Sequence, residues 1–283
     1  SVFIMIIWLA SYPKSGNTFV RSLLSSYIFS KDGNFSFELL KNIKQFPANS
    51  LFERIGVDTN NESEMLKNYI NSQKVFYNPK SIRFLKTHGG FVNKEGFRFT
   101  DQHNTLGVIY IVRDPRNVVI SHAHHFQQTV KKSSEDLLSH QYIGKDSRVQ
   151  CLTWVGSWKY NYNSWKAFEK HNRYLLIKYE DLLQDTEKTF IKILKFIARL
   201  SKVNFTLDKE KLDNCLKTTS FKEMQLLEKK ETFDEAKVNI KTGKKIKFFN
   251  LGKENDWKQN LDVEIKNNLE KNLQIEMKEL KYL

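Results

Sequence analysis

The sequence predicts an α/β protein: a single domain with a central, doubly wound parallel sheet flanked by helices. Three observations carry that prediction. Short apolar runs lack the alternation of a half-solvated sheet, so they read as strands covered on both faces. Helical patterns separate these runs. Each run also ends in a polar cluster, and the carboxyl ends of parallel strands are where such folds bind ligands.

The first run spans 3–11 and leads through "SYPKSGNTF" (11–19) into a helical pattern at 17–29. Further strands are expected at 82–87 ("IRFLKT"), 106–112 ("LGVIYIV") and 174–178 ("YLLIK"). Helices are expected at 17–29, parts of 36–46 and 62–73, 116–129, 148–170, 185–198 and 260–280. The polar clusters are Lys14-Ser15-Gly16-Asn17-Thr18, Lys86-Thr87-His88, Arg113-Asp114-Pro115-Arg116 and Tyr179-Glu180-Asp181, and one shared cleft is expected for them. The stretch 228–258 is polar, basic and weakly periodic, and reads as a long loop. With four prolines, eleven glycines, no repeat and no linker, residues 1–283 form one domain in this reading.

Composition narrows the function classes without choosing among them. The 283 residues are 40% hydrophobic and 13% aromatic, enough for a sizeable core, and no long segment has a disordered composition. A net charge of +14 favours anionic ligands, although the lysines are scattered as on a solvated surface. Cys151 and Cys215 form no CxxC pair, so no disulfide framework or structural zinc site is expected, and a cytoplasmic location fits. Cys151 reads as a small core residue within a helix. The apolar run Val2–Ala10 is shorter than the ~20 residues a bilayer needs. It also lacks the basic flank and cleavage site of a signal peptide. Met5 is a candidate natural start.

The turn after the first strand has the chemistry of an anion site. A glycine admits backbone N–H groups close to a ligand, and a helix start favours negative charge. Lys14 adds a point charge, and Ser15 and Thr18 add hydroxyls. The phosphate-loop pattern GxxxxGK[ST] is absent, because Lys14 precedes the glycine. An ordinary strand-to-helix turn remains the plain alternative. In "IVRDPRNVVISHAHHF", Pro115 suits a first helical turn, and Arg113 with Ser121 suits a second phosphate. A closing Arg113–Asp114 ion pair is the plain alternative there.

These segments resemble the family of PAPS-dependent sulfotransferases, PAPS being 3′-phosphoadenosine 5′-phosphosulfate. "YPKSGNTF" is similar to the family's 5′-phosphosulfate motif and "IVRDPRNVVISH" to its 3′-phosphate motif. "FLKTH" is similar to the strand with the catalytic His. "LLIKYEDLLQD", "TTSFKEM" and "NLGKENDWK" follow in the family's order, from residue 7 to 258. The resemblance implies a P-loop-like fold and a metal-free transfer of sulfonate from PAPS to a hydroxyl or amine. It places Lys14, Ser15, Gly16, Asn17 and Thr18 on the phosphosulfate and Phe19 near the adenine. Arg113 and Ser121 fall on the 3′-phosphate. Tyr179, Thr219, Phe221 and Gly252 fall at the nucleotide site. It makes His88 the general base, with Lys86 and Lys14 as catalytic cations.

The sequence departs from the family at Asn250-Leu251, where an Arg-Lys pair usually grips the 3′-phosphate; Lys245, Lys247 or Lys253 is the expected substitute. Gly89-Gly90 stands where animal relatives tend to have Leu-Pro, which makes the chain more similar to bacterial or marine-microbial members. The acceptor remains open between a small molecule, a lipid and a glycan. His122, His124 and His125 read as an acceptor-pocket wall rather than a metal site, Trp154, Trp158 and Trp165 as core, and 260–280 as an amphipathic helix on the sheet. Two other activities compete: a P-loop small-molecule or nucleotide kinase, and a degenerate relative that binds nucleotide without turnover. A nucleic-acid-binding module, motivated by the charge, does not need Lys14, His88 and Arg113 at strand ends, and no nucleic-acid partner is expected.

Overall fold

A run of large aliphatic residues is stable as a strand only where both faces are dry, and Ile6–Ala10 are fully buried. The computed structural model describes residues 5–76, 78, 81–145, 151–231, 233, 235–239, 241–250, 252 and 255–283. The expected strand positions 3 and 4 and the candidate phosphate ligand Lys253 lie outside them. Contacts group the chain into two units: up to Asn17, Asn42–Val112 and Ser139–Thr206 in the first, and Thr18–Lys41, Arg113–Leu138 and Leu207–Leu283 in the second.

The first unit holds a five-stranded sheet built from β1 (Ile6–Ser11), β2 (Lys44–Gln45), β3 (Arg83–Thr87), β4 (Thr105–Val112) and β5 (Tyr174–Lys178). Their spatial order is β2-β3-β1-β4-β5, and every pairing is parallel. Connections leave β1 toward one side and return on the other, so the order reverses at β1, the switch point where such sheets bind ligands. Trp8 anchors the core. Its ring lies 5.5 Å from Phe46, 5.4 Å from Phe99 and 6.0 Å from Trp165, and its indole N–H donates to Thr105 Oγ1 at 3.0 Å.

Helices cover both faces of β4. A Cβ on Gly107 would lie 2.3 Å from Leu200 Cδ1, which places the helix Thr186–Ser201 on that face. Tyr110, of opposite parity in the strand, donates its hydroxyl to Asn161 Oδ1 at 2.7 Å, on the helix Trp158–Trp165. The four longer strands fall where the apolar runs place them. Two expectations change here. The helix expected over 148–170 is shorter: Leu152–Trp154 is a strand paired with Ile143–Lys145, and residues 146–150 are outside the description. Trp154, Trp158 and Trp165 are buried, so the aromatic stripe is core, with Trp154 on a strand. Cys151 is buried but not helical, with Sγ 3.5 Å from Met65 Sδ.

The second unit is helical. Its main elements are the body of α1 (Asn17–Phe29), then α2 (Pro115–Phe126), α3 (Val130–Leu138), α4 (Lys209–Thr218), α5 (Phe221–Lys230), α6 (Val263–Asn272) and α7 (Gln274–Glu279). Asp114 caps α2 by accepting from Arg116 N at 2.9 Å, with Pro115 in the first turn. The C-terminal helix expected over 260–280 is interrupted at Leu273, and within this unit α6 packs on α2 and α3. The segment read as a polar loop has an apolar underside. Phe233 and Phe249 are buried with Phe35, Phe37, Leu40 and Met224, and Phe233 stacks on Phe37 at 4.5 Å.

Arg116 ties this unit together. Its buried guanidinium pairs with Asp114 and Glu270, both at 2.7 Å, donates to Tyr282 O at 2.8 Å and lies 3.9 Å from the Trp257 ring centroid. Burial works against its charge, but the two carboxylates outweigh that and raise its pKa. Removing the cation strands two carboxylates. We expect Arg116→Met to lower the stability read from urea unfolding by about 3 kcal/mol. Arg116→Lys should recover little, because an ammonium cannot reproduce the fork.

The cysteines yield a pH prediction. Burial pushes the Cys151 thiol up to about 12 and the Cys215 thiol up to about 11, from an ordinary value of 9.0. Native thiolate at pH 8 should therefore fall about 1,000-fold and 100-fold, and a thiol reagent should label both residues only after unfolding. A folded pKa above the unfolded one means stability that is complete below about pH 9 and is lost as pH rises toward 11–12. A melting curve against pH reads this loss, and Cys151→Ala should flatten it.

Candidate active site at the β1–α1 turn

The chain leaves β1 at Ser11 and must reverse into α1 at Asn17 within five residues. Two left-handed residues make the reversal, Lys14 with φ 67° and Gly16 with φ 103°. Gly16 is required there twice over: by its backbone angle, and because a Cβ would lie 2.4 Å from Tyr179 Cδ2. Tyr179, singled out at the end of β5, therefore covers the glycine of the turn. Asn17 is buried, and its side-chain amide donates to Leu9 O at 2.9 Å and to Ser11 Oγ at 3.2 Å. The start of α1 is thereby fixed to the end of β1.

Ser15 is fully buried, and its hydroxyl has no hydrogen-bond partner among the described residues. A dry, unsatisfied hydroxyl costs about 1–3 kcal/mol unless a ligand meets it. Lys14 lies half-buried beside it. Hydroxyl, ammonium and the first N–H groups of a thirteen-residue helix form a donor set suited to a sulfonated phosphate.

His88 follows β3 directly, and register places Thr87 opposite Ala10. Its Nδ1 lies 3.0 Å from Ser11 O and 3.2 Å from Ser11 Oγ. A carbonyl only accepts, which assigns the proton to Nδ1 and leaves Nε2 as the basic nitrogen. The backbone is held as well: Asn161 Nδ2 donates to His88 O and to Val155 O, each at 2.9 Å. Asn161 was not among the residues singled out from the sequence; nothing local marks it. Lys86 is buried within β3, opposite Leu9. The first unit thus brings Ser15, Gly16, Asn17, His88 and Tyr179 around the end of β1.

The remaining candidates belong to the second unit. Thr18 is buried and donates to Glu235 Oε2 at 3.1 Å. Phe19 is half-buried. Arg113 is buried at the base of α2, and Ser121 is half-buried two turns along it. Phe221 and Gly252 meet, since a Cβ on Gly252 would lie 2.7 Å from the ring. Thr219 is fully buried and gives its hydroxyl to Cys215 O at 2.8 Å, so its side chain caps a helix. The DPRN stretch also docks the C-terminal element. Asn255 Nδ2 donates to Asn117 O at 3.0 Å, and Trp257 N to Asn117 Oδ1 at 2.9 Å.

The histidine cluster differs from expectation. His122 is fully buried, hydrogen-bonded to Ser133 Oγ at 3.0 Å and packed 4.5 Å from Phe126, so it is core rather than pocket wall. His125 meets Phe248 edge-on at 5.8 Å. Among the described residues, no three His, Cys, Asp or Glu side chains gather as a metal site, and no helix is long and apolar enough to cross a membrane.

The chain is similar to known proteins in sequence and in fold. Flavonol 3-sulfotransferase of Flaveria bidentis is 25% identical over 89% of this chain and 75% of its own length. Human sulfotransferase 1E1 is 25% identical over 96% of this chain and 83% of its own. Retinol dehydratase, solved with retinol and PAP (adenosine 3′,5′-bisphosphate), has the same fold. Its TM-score is 0.63 at 17% identity, over 96% of this chain and 81% of that one. Mouse sulfotransferase SULT7A1, solved with PAP, gives a TM-score of 0.59 at 18% identity, over 97% and 85%. The profile described as "Sulfotransferase domain" runs through both units, over residues 6–281, and the chain belongs to the sulfotransferase family.

Proposed function

We propose that the chain, with residues 1–283 acting as one domain, moves the sulfonate of PAPS in line onto an acceptor hydroxyl or amine, with His88 as general base. The observation that carries this reading is the meeting of a base and an anion turn at one residue. Ser11 supplies the carbonyl that fixes the His88 tautomer, and its hydroxyl receives the Asn17 amide at the helix start.

PAPS would supply the sulfonate and the leaving nucleotide. The chain's residues then have separable tasks. Ser15, Lys14 and the helix N–H groups hold the phosphosulfate and stabilise charge on the departing oxygen. Gly16 keeps the backbone open to it, with Tyr179 beside the turn. Arg113 and Ser121 receive the 3′-phosphate, with Phe221 and Gly252 at the adenine. His88 Nε2 takes the acceptor proton, a role open to a neutral imidazole near neutral pH. Transfer through a loose transition state asks mainly for positioning and charge, which these residues offer without a metal. Acceptors of the kind named for the relatives, flavonols and retinol, are small hydroxyl compounds. That class is the first to screen, ahead of lipids and glycans.

Calorimetry with PAP is the direct test. Micromolar binding without metal, lost in Arg113→Ala and weak for ATP with Mg²⁺, is the expected outcome; tight ATP·Mg²⁺ binding with indifference to PAP would overturn the reading. His88→Ala should lower kcat by about 10²–10⁴-fold and change PAP affinity less than twofold. An unchanged kcat removes His88 from its role. Gly16→Ala should abolish PAP binding and lower the melting temperature. Adding Tyr179→Ala should not restore binding, because the positive φ stays forbidden to alanine.

A further inference from the structure

The second unit carries a carboxylate where the PAPS reading wants a phosphosulfate donor. Glu235 Oε2 accepts from the Thr18 hydroxyl at 3.1 Å, and Glu235 Oε1 pairs with Arg21 Nη1. Arg21 Nη2 also donates to Leu40 O at 2.9 Å. Thr18 and Arg21 lie three residues apart on α1 and so share a face. The pair is sheltered, its side chains 9% and 13% exposed, so solvent screens it little. Phe233, buried two residues earlier against Phe37, fixes the backbone that presents the carboxylate.

A hydroxyl has one proton to give. While Thr18 donates to Glu235 it cannot donate to another anion, and a second anion beside it would meet a poorly screened negative charge. We propose that Glu235 is an affinity-determining residue for the nucleotide: an internal carboxylate that holds the Thr18 donor and must leave it when the phosphosulfate arrives. The inference rests on the PAPS reading and adds a residue from far along the chain to it. Arg21 gives the displaced carboxylate a neighbouring cation to remain with, so exchange at Thr18 does not require breaking the ion pair.

The test is calorimetric titration of wild type, Glu235→Gln and Glu231→Gln with PAP, under one salt condition. Glu231 is exposed in the same segment and controls for the loss of one negative charge. Glu235→Gln should bind about 5- to 150-fold tighter, the span of couplings between linked sites, and Glu231→Gln should change binding less than twofold. Equal or weaker binding by Glu235→Gln overturns the role of Glu235 and leaves the PAPS reading standing. Failure of both wild type and Glu235→Gln to bind PAP overturns that reading and this inference with it. Should Glu235→Gln melt early, hydrogen exchange on wild type decides. Amides at 235–239 should exchange faster with PAP saturating, and slower or unchanged exchange there overturns the proposal.

Discussion

The side-chain amide of Asn17 is the contact on which the site depends. It is buried, and both N–H bonds of its amino group are made, which offsets that group's desolvation, while its Oδ1 has no partner among the described residues. By donating to Leu9 O and Ser11 Oγ it clamps the first residue of α1 to the last turn of β1. The five residues between are then forced into a tight loop with Lys14 and Gly16 at positive φ. A non-glycine residue there costs energy and persists only where its surroundings over-determine it. The amide bonds at one end and Tyr179 over Gly16 at the other supply that determination. The same Ser11 faces His88, so the strand end sets both the start of α1 and the tautomer of that imidazole.

The second unit solves a different problem with the same chemistry. A strongly basic chain has few carboxylates to spare, yet two of its buried guanidiniums are fully engaged by them. Arg116 uses Asp114 and Glu270, and Arg21 uses Glu235. Buried pairs of this kind add little net stability over an apolar equivalent, but they are costly to break and are directional. Arg116 spends its direction on the chain's end, reaching Tyr282 O and stacking on Trp257. Asn117, its neighbour, fixes Asn255 and Trp257. The element that lacks the usual Arg-Lys pair is therefore held by backbone and amide bonds from α2, whatever Asn250 contributes.

What was legible in the sequence had a local cause. The apolar runs ending at Ser11, Thr87 and Val112 are largely buried on both faces, while the one ending at Lys178, last in the strand order, is mostly half-buried; the lack of alternation marks all four. The turn at Lys14–Gly16 and the cap at Asp114-Pro115 are written in residues with special backbone preferences. What was not legible depends on distant partners. β2 has two residues and exists because β3 offers an edge, inside a stretch whose composition suggests a helix. Leu152–Trp154 pairs with Ile143–Lys145, and no period survives in three residues. The helices Lys209–Thr218 and Phe221–Lys230 are mostly polar, so their apolar stripes are thin. His122 looked available because histidines often are, but Ser133, eleven residues on, absorbs it. Glu235 sits 217 residues from Thr18 and has no pattern to betray it.

His88 and the residues packed after it obey different constraints, and this explains why one could be read from the sequence and the other could not. His88 is placed by sheet register and by Ser11, both fixed once the parallel strands pair. The loop that follows is packed through a small-for-large exchange of side chains. A Cβ on Gly90 would lie 3.0 Å from the Tyr160 ring, and one on Gly156 would lie 2.5 Å from it. Volume absent at two glycines is supplied by one tyrosine, carried next to the Asn161 that holds His88 O. Burial also raises the Tyr160 pKa, so the phenol stays neutral and presents an apolar face with a hydroxyl rim. The sheet thus positions His88, while the glycine–tyrosine exchange packs the loop after it.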